Sequence, residues 1–124
     1  MKVERRAGPV PFHTVTIEDP FWAPRREINR TVSLEEQYRH CRESWSLEAF
    51  LWQPGMPDHS DRFRDSDVAK WLEAAAYSLR THPDPELERR IDDYVATFKV
   101  GQCPDGYLNS YYGLVKPELR WANL

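Results

Sequence analysis

Three groupings of carboxylates, imidazoles, amides and thiols in this chain could do chemistry. The first is Asp58-His59-Ser60-Asp61, followed by Asp65 and Asp67, which offers oxygens and a ring nitrogen for acid/base work or for a hard cation. Its spacing fits neither a calcium loop with its central Gly and terminal Glu nor a His-Glu-x-x-His helix. A solvated loop whose last carboxylates cap a helix explains the same residues. The second grouping is His13, His40, His59 and His82. Imidazole titrates near neutrality, but none of these stands in a Ser/His/Asp or Cys/His arrangement. His40 and Cys41 are helix neighbours and point about 100° apart, so they form no dyad. The third is Gln102, Asp105, Tyr107, Asn109, Tyr111 and Tyr112. Flat aromatic faces suit the C–H surface of a sugar, and amides and carboxylates suit its hydroxyls. The same composition also suits a packed loop.

Cys41 and Cys103 are the two cysteines. With no CxxC or Cys/His ligand spacing, they indicate neither a disulfide framework nor a zinc module and are read as buried, reduced thiols. Cys103 has only Lys99 at helical distance to lower its pKa, so thiol catalysis is not expected from it.

Helices must position these groups. Val68, Trp71, Leu72, Ala75, Ala76 and Leu79 recur with helical period, predicting a helix from Asp67 to Arg80. Thr81-His82-Pro83 ends it, and Asp84-Pro85 starts the next, whose apolar face is Leu87, Ile91, Tyr94, Val95 and Phe98. So short a connection predicts an antiparallel αα-hairpin. Pro104-Asp105-Gly106 then reverses the chain. Upstream, an irregular apolar face of Ile28, Val32, Leu34, Tyr38 and Cys41 predicts a helix from about Arg25 to Arg42. Asp19-Pro20-Phe21-Trp22-Ala23-Pro24 reads as a turn, and Ser44 to Gln53 as a packed aromatic loop. His13 to Glu18 alternates like a short strand, though the chain offers it no second good strand to pair with.

With 124 residues, 40% of them hydrophobic and 13% aromatic, the chain forms one domain at most and can bury a core. A net charge of −3 with interspersed signs provides no basic stripe, so nucleic acid is not expected as a partner. No apolar run approaches the roughly 20 residues that span a bilayer, and the first residues lack a signal-peptide pattern. No membrane partner and a soluble, cytoplasmic location are the expectations. The final Arg120-Trp121-Ala122-Asn123-Leu124 lacks the polar character of a frayed terminus and reads as a cut through a larger fold.

Val15-Thr16-Ile17, Asp19-Pro20-Phe21-Trp22, Phe63 through Tyr77, Pro83-Asp84-Pro85-Glu86-Leu87, and Gln102 with Asp105-Gly106-Tyr107-Leu108 together resemble, in order and spacing, the N-terminal part of glycoside hydrolase family 127. These are the β-L-arabinofuranosidase-like proteins. Residues 1–14 would be a leader and 15–124 the family-like region. The resemblance implies a mainly α fold, the first hairpins of an (α/α)6 barrel preceded by a short strand. It also implies retaining hydrolysis of terminal β-L-arabinofuranosides, with zinc, a zinc-bound cysteine thiolate as nucleophile and a glutamate as general acid/base in the full-length enzyme. Cys41 and Cys103 do not match the family's adjacent cysteine pair, so no catalytic residue and no cofactor is placed here, and the chain alone is expected to be inert. Gln37, Asp67, Gln102 and Asp105 are the substrate-binding candidates, with Asp65 leaning toward helix capping and Asp105 toward loop support. A stand-alone helical interaction module is the alternative. Helix faces that a full barrel would cover would be left wet here, which favours self-association.

Overall fold

A computed structural model describes residues 8–57 and 62–122. The expectations for Asp58, His59, Ser60 and Asp61 lie outside the described residues. Four α-helices carry the fold: α1 (Trp22–Ile28), α2 (Leu34–Glu43), α3 (Arg64–Thr81) and α4 (Pro85–Gly101).

Helices α1 and α2 are one rod interrupted by a widened turn, Asn29–Ser33, in which the Leu34 N–H reaches back five residues to the Asn29 carbonyl. The rod starts earlier than expected. Asp19 Oδ1 accepts from the amides of Phe21 and Trp22 at 2.9 and 2.7 Å, so the turn at Asp19-Pro20 leads directly into α1 at Trp22. The same device recurs at α4, where Asp84 Oδ1 accepts from the amides of Glu86 and Leu87 and Pro85 takes the first helical position, as the sequence predicts.

The expected N-terminal strand is corrected: among the described residues there is no strand. Phe12–Thr14 forms a single 3-10 turn, Val15 after it is extended, and the following residues up to Asp19 have no regular secondary structure. A strand needs an edge to pair with, and every neighbour here is a helix. The segment instead lies along α3, with Phe12 edge-on to Tyr77 at 4.9 Å between ring centroids.

The α3–α4 hairpin forms as predicted, closed by His82 to Asp84. Trp71 and Tyr94 stand nearly equal distances from that connection on their two helices, and their rings meet at 5.8 Å, as antiparallel packing requires. The core gathers Leu34 and Cys41 from α2, Leu47 from the following loop, Val68, Trp71 and Ala75 from α3, and Tyr94 from α4. Tyr38 joins it, its ring 5.2 Å from Trp71 and 6.4 Å from Tyr94. Arg90 of α4 covers Tyr38 at 4.5 Å and reaches Glu35 of α2 at 2.6 Å, clasping the two helices. The Ser44–Gln53 loop packs as expected: Phe50 is buried against Phe98 and against Gly101, where a Cβ would fall 2.6 Å from Phe50 Cδ1. Only glycine allows that approach.

Much apolar surface remains uncovered. Ile28, Val32 and Trp22 on the first rod, Phe63 before α3, and Val100 on α4 are all more than half exposed. On the first rod the buried residues Leu34 and Cys41 lie in α2, whereas Trp22, Ile28 and Val32 lie outside the core, which matches the irregular apolar face read for that helix.

Candidate functional site

Polar side chains on the first rod fall at Asn29, Ser33, Gln37, His40 and Ser44, steps of three or four that place them on one helical face. On α3, Arg64, Asp67, Trp71 and Ala74 do the same. The two faces turn toward each other across a cavity of about 650 Å³ that these nine residues line together with Leu34, Cys41, Ser46 and Lys70. The volume is in the range of small-molecule sites.

The floor is rigid. Trp71, 4% exposed, donates from Nε1 to the Leu34 carbonyl at 2.9 Å, so it is a core residue whose polar edge is already used, as its helical position predicts. The widened turn frees backbone from the ordinary ladder beside Asn29 and Ser33, a distortion frequent at functional sites. At the other end Arg64 donates to the Ser44 carbonyl at 2.6 Å, and Ser44 Oγ lies 2.8 Å from Ser46 Oγ. Lys70 pairs with Asp67 at 3.3 Å on the open side. Burial, helped by the nearby Asp67 charge, pushes the Cys41 thiol up, so at neutral pH it is a protonated thiol and not a nucleophile.

Two of the four candidate residues, Gln37 and Asp67, therefore share one cavity. Gln102 and Asp105 do not reach it and are engaged in the turn after α4. Gln102 Nε2 donates to the Gly106 carbonyl at 2.9 Å. Asp105 accepts from the Tyr107 amide at 3.1 Å and pairs with Arg120 at 2.8 Å, contacts that hold its carboxyl below the usual carboxylate range. Gly106 has φ 87°, and the amides of Gly106 and Cys103 bond to the carbonyls of Cys103 and Tyr107, closing the reversal read from the sequence.

Asp65 departs from the expected capping of its own helix. Its carboxylate accepts from the Ser110 amide at 2.7 Å and from Ser110 Oγ at 2.5 Å, tying the start of α3 to the segment after α4. Ser110 is 1% exposed, so this bond is shielded from water. Of the other histidines, His13 Nε2 lies 3.3 Å from Arg80 and His82 Nδ1 lies 3.0 Å from Thr81 Oγ1, both at the surface. His40 alone of the described histidines lines the cavity.

The sequence reading missed Asn29, Ser33, Ser44, Ser46, Arg64 and Lys70. The polar stripe on the first rod was the available signal, but it shares that helix with an irregular apolar face and gains meaning only beside α3. The described residues do not fit the zinc ion that the resemblance implies. None of them form a group of three or more His, Cys, Asp or Glu able to hold a metal, and Cys41 lies in α2 whereas Cys103 lies in the distant turn.

Residues 14–124 match the family described as Beta-L-arabinofuranosidase, GH127 catalytic domain. A non-reducing end β-L-arabinofuranosidase from Bifidobacterium longum subsp. longum is 36% identical over 120 residues, covering 79% of this chain and 18% of the relative. Among solved structures, a GH127 β-L-arabinofuranosidase from Geobacillus stearothermophilus T6 superposes with a TM-score of 0.78 at 36% identity, covering 87% of this chain and 19% of that one. A second GH127 β-arabinofuranosidase gives 0.75 at 33% identity, covering 85% and 17%. The chain thus spans less than a fifth of the length of these relatives, and the reading as a stand-alone interaction module gains no support. With nearly its whole length matched in sequence and fold, the chain belongs to the GH127 β-L-arabinofuranosidase family.

Proposed function

We propose that this segment supplies one wall of the sugar-binding cavity of a β-L-arabinofuranosidase, with α1–α4 serving as the first hairpins of an (α/α)6 barrel. The convergence of the polar faces of the first rod and α3 on one cavity carries the reading. Furanosides present several hydroxyls in a small volume, and uncharged donors and acceptors such as Asn29, Ser33 and Gln37, with one carboxylate at Asp67, match that pattern. Gln37 and Asp67 contact the sugar in this account. Gln102 and Asp105 act at one remove, by fixing the shape of the turn that bears Tyr107.

Hydrolysis belongs to a larger protein. The cavity contains no carboxylate pair at glycosidase spacing, since Asp67 is the single Asp or Glu among the lining residues, and Cys41 is held as a thiol. The zinc and catalytic cysteines that the family resemblance implies would come from residues beyond this segment. Among the described residues no helix is long and apolar enough to cross a membrane.

Two measurements test this. Incubated alone with p-nitrophenyl β-L-arabinofuranoside, the chain should release p-nitrophenol at the background rate, and turnover like that of an intact glycosidase would overturn the assignment of chemistry elsewhere. Weak binding of methyl β-L-arabinofuranoside should be detectable by saturation-transfer NMR and should drop about tenfold in Gln37→Ala, the loss expected for one to two hydrogen bonds to sugar hydroxyls. Unchanged binding in that variant would remove Gln37 from the site.

A further inference from the structure

The first turn of α3 carries two of the cavity's residues, Arg64 and Asp67, yet the residue before it, Phe63, supplies no side-chain capping bond to its amides. Tertiary contacts grip this turn from two sides. On the cavity side, Arg64 Nη1 donates to the carbonyl of Ser44, the residue that closes α2, at 2.6 Å. Asp65 is turned about 100° from Arg64 around the helix and is not among the residues that line the cavity. Its carboxylate accepts instead from the Ser110 amide at 2.7 Å and from Ser110 Oγ at 2.5 Å. Ser110 is a firm anchor. It is 1% exposed, and the chain around it is tied down on both sides. The amides of Tyr112 and Gly113 bond to Asn109 Oδ1 and to the Asn109 carbonyl at 2.7 and 2.8 Å, while Arg120 pairs with Asp105 at 2.8 Å and lies 3.7 Å over the Tyr107 ring. A charged acceptor held by two donors of a water-excluded segment sets geometry as well as adding energy.

We propose that Asp65 is a positioning residue for sugar binding: by holding Ser110 it sets the angle at which the first turn of α3 presents Arg64 and Asp67 to the cavity. This rests on the cavity being the sugar site. A hydrogen bond from a sugar hydroxyl to the Asp67 carboxylate tolerates only a few tenths of an ångström and a limited range of angles. A small tilt of an uncapped first turn therefore spoils that contact while the rest of α3, anchored in the core by Val68, Trp71 and Ala75, stays folded. Asp65 never touches the sugar and acts through its neighbours on the helix.

The test compares Asp65→Ala, Asp65→Asn, Ser110→Ala, Gly101→Ala and Gln37→Ala in the full 124-residue chain. Melting temperature is read for each, and binding of methyl β-L-arabinofuranoside is measured by saturation-transfer NMR well below it. Asp65→Ala should weaken binding about fivefold and Ser110→Ala, which keeps the backbone bond, about threefold, the range expected when one hydrogen bond to the sugar is displaced. Asp65→Asn retains an acceptor for the Ser110 amide and should restore most of the affinity. Gly101→Ala, strained at the far end of α4 and away from the cavity, should lower the melting temperature and bind as the parent does. If Asp65→Ala does not fold, Ser110→Ala decides by the same criterion. Parent-like binding in the folded variants of this pair, where Gln37→Ala binds more weakly, would overturn the proposal. So would a loss in Gly101→Ala as large as theirs, because Asp65 would then serve stability alone. Parent-like binding in Gln37→Ala as well would instead overturn the cavity reading, and the proposal with it.

Discussion

Trp71 Nε1 donates to the Leu34 carbonyl at 2.9 Å across the interface between α3 and α2, and both residues are buried. The bond fixes the distance between the two helices that carry the polar faces, so the shape of the cavity depends on a contact made entirely in the core. Replacing Trp71 by Phe keeps an aromatic body but leaves the carbonyl without its donor, which costs about 1–3 kcal/mol. Urea denaturation should show that loss, and a variant as stable as the parent would mean that the bond does not hold the helices together.

Gly101 sits where α4 passes Phe50, and a Cβ there would come within 2.6–2.9 Å of the Phe50 side chain and carbonyl. Because part of that obstacle is backbone, it cannot simply rotate away. Gly101→Ala is expected to destabilise by about 1–3 kcal/mol despite alanine's better helix propensity. Stabilisation in a thermal melt would contradict the close approach.

Tyr94 has the opposite character. Its hydroxyl is buried with no hydrogen-bond partner among the described residues, and burial pushes its phenol up, aided by the nearby charge of Glu48. Tyr94→Phe keeps the ring contacts with Trp71 and Phe98 and removes an unsatisfied group, so it should raise stability by about 1 kcal/mol. A clear loss in chemical denaturation would show that the hydroxyl has a partner.

Glu86, in the first turn of α4, accepts from Arg89 and Arg90, and these bonds pull its carboxyl down to about 2. A depressed carboxylate adds stability above its unfolded value of 4.5 and loses it as pH falls toward about 2. The group is solvent-exposed, so the effect is modest and screened by salt. Melting temperatures taken across that acid range should fall less steeply for Glu86→Gln than for the parent, and parallel curves would contradict the assignment.

The hairpin was legible because its signals agree. The α3 and α4 faces keep helical period, and Asp84-Pro85 marks the start of α4 unambiguously. The same Asp-Pro signal at Asp19-Pro20 was read as a turn leading into a helix from about Arg25, whereas α1 already begins at Trp22. The strand at Val15-Thr16-Ile17 failed for a tertiary reason, since β-branched alternation cannot create a pairing edge. Asp65 could not be read correctly, as its partner Ser110 is 45 residues away. Gln37 and Asp67 were named from the family resemblance, but that they line one cavity, together with the polar stripe of Asn29, Ser33 and Ser44, became visible only once α3 was in place beside the first rod.

In the proposed function the sugar lies between the first rod and α3. Backbone and side-chain NMR shifts of the chain, followed during titration with methyl β-L-arabinofuranoside, test it directly. The account predicts saturable shifts at Asn29, Ser33, Gln37, His40 and Asp67, with the Gln102–Tyr107 turn unmoved. Shifts confined to that turn, or none at all at saturating sugar, would contradict it.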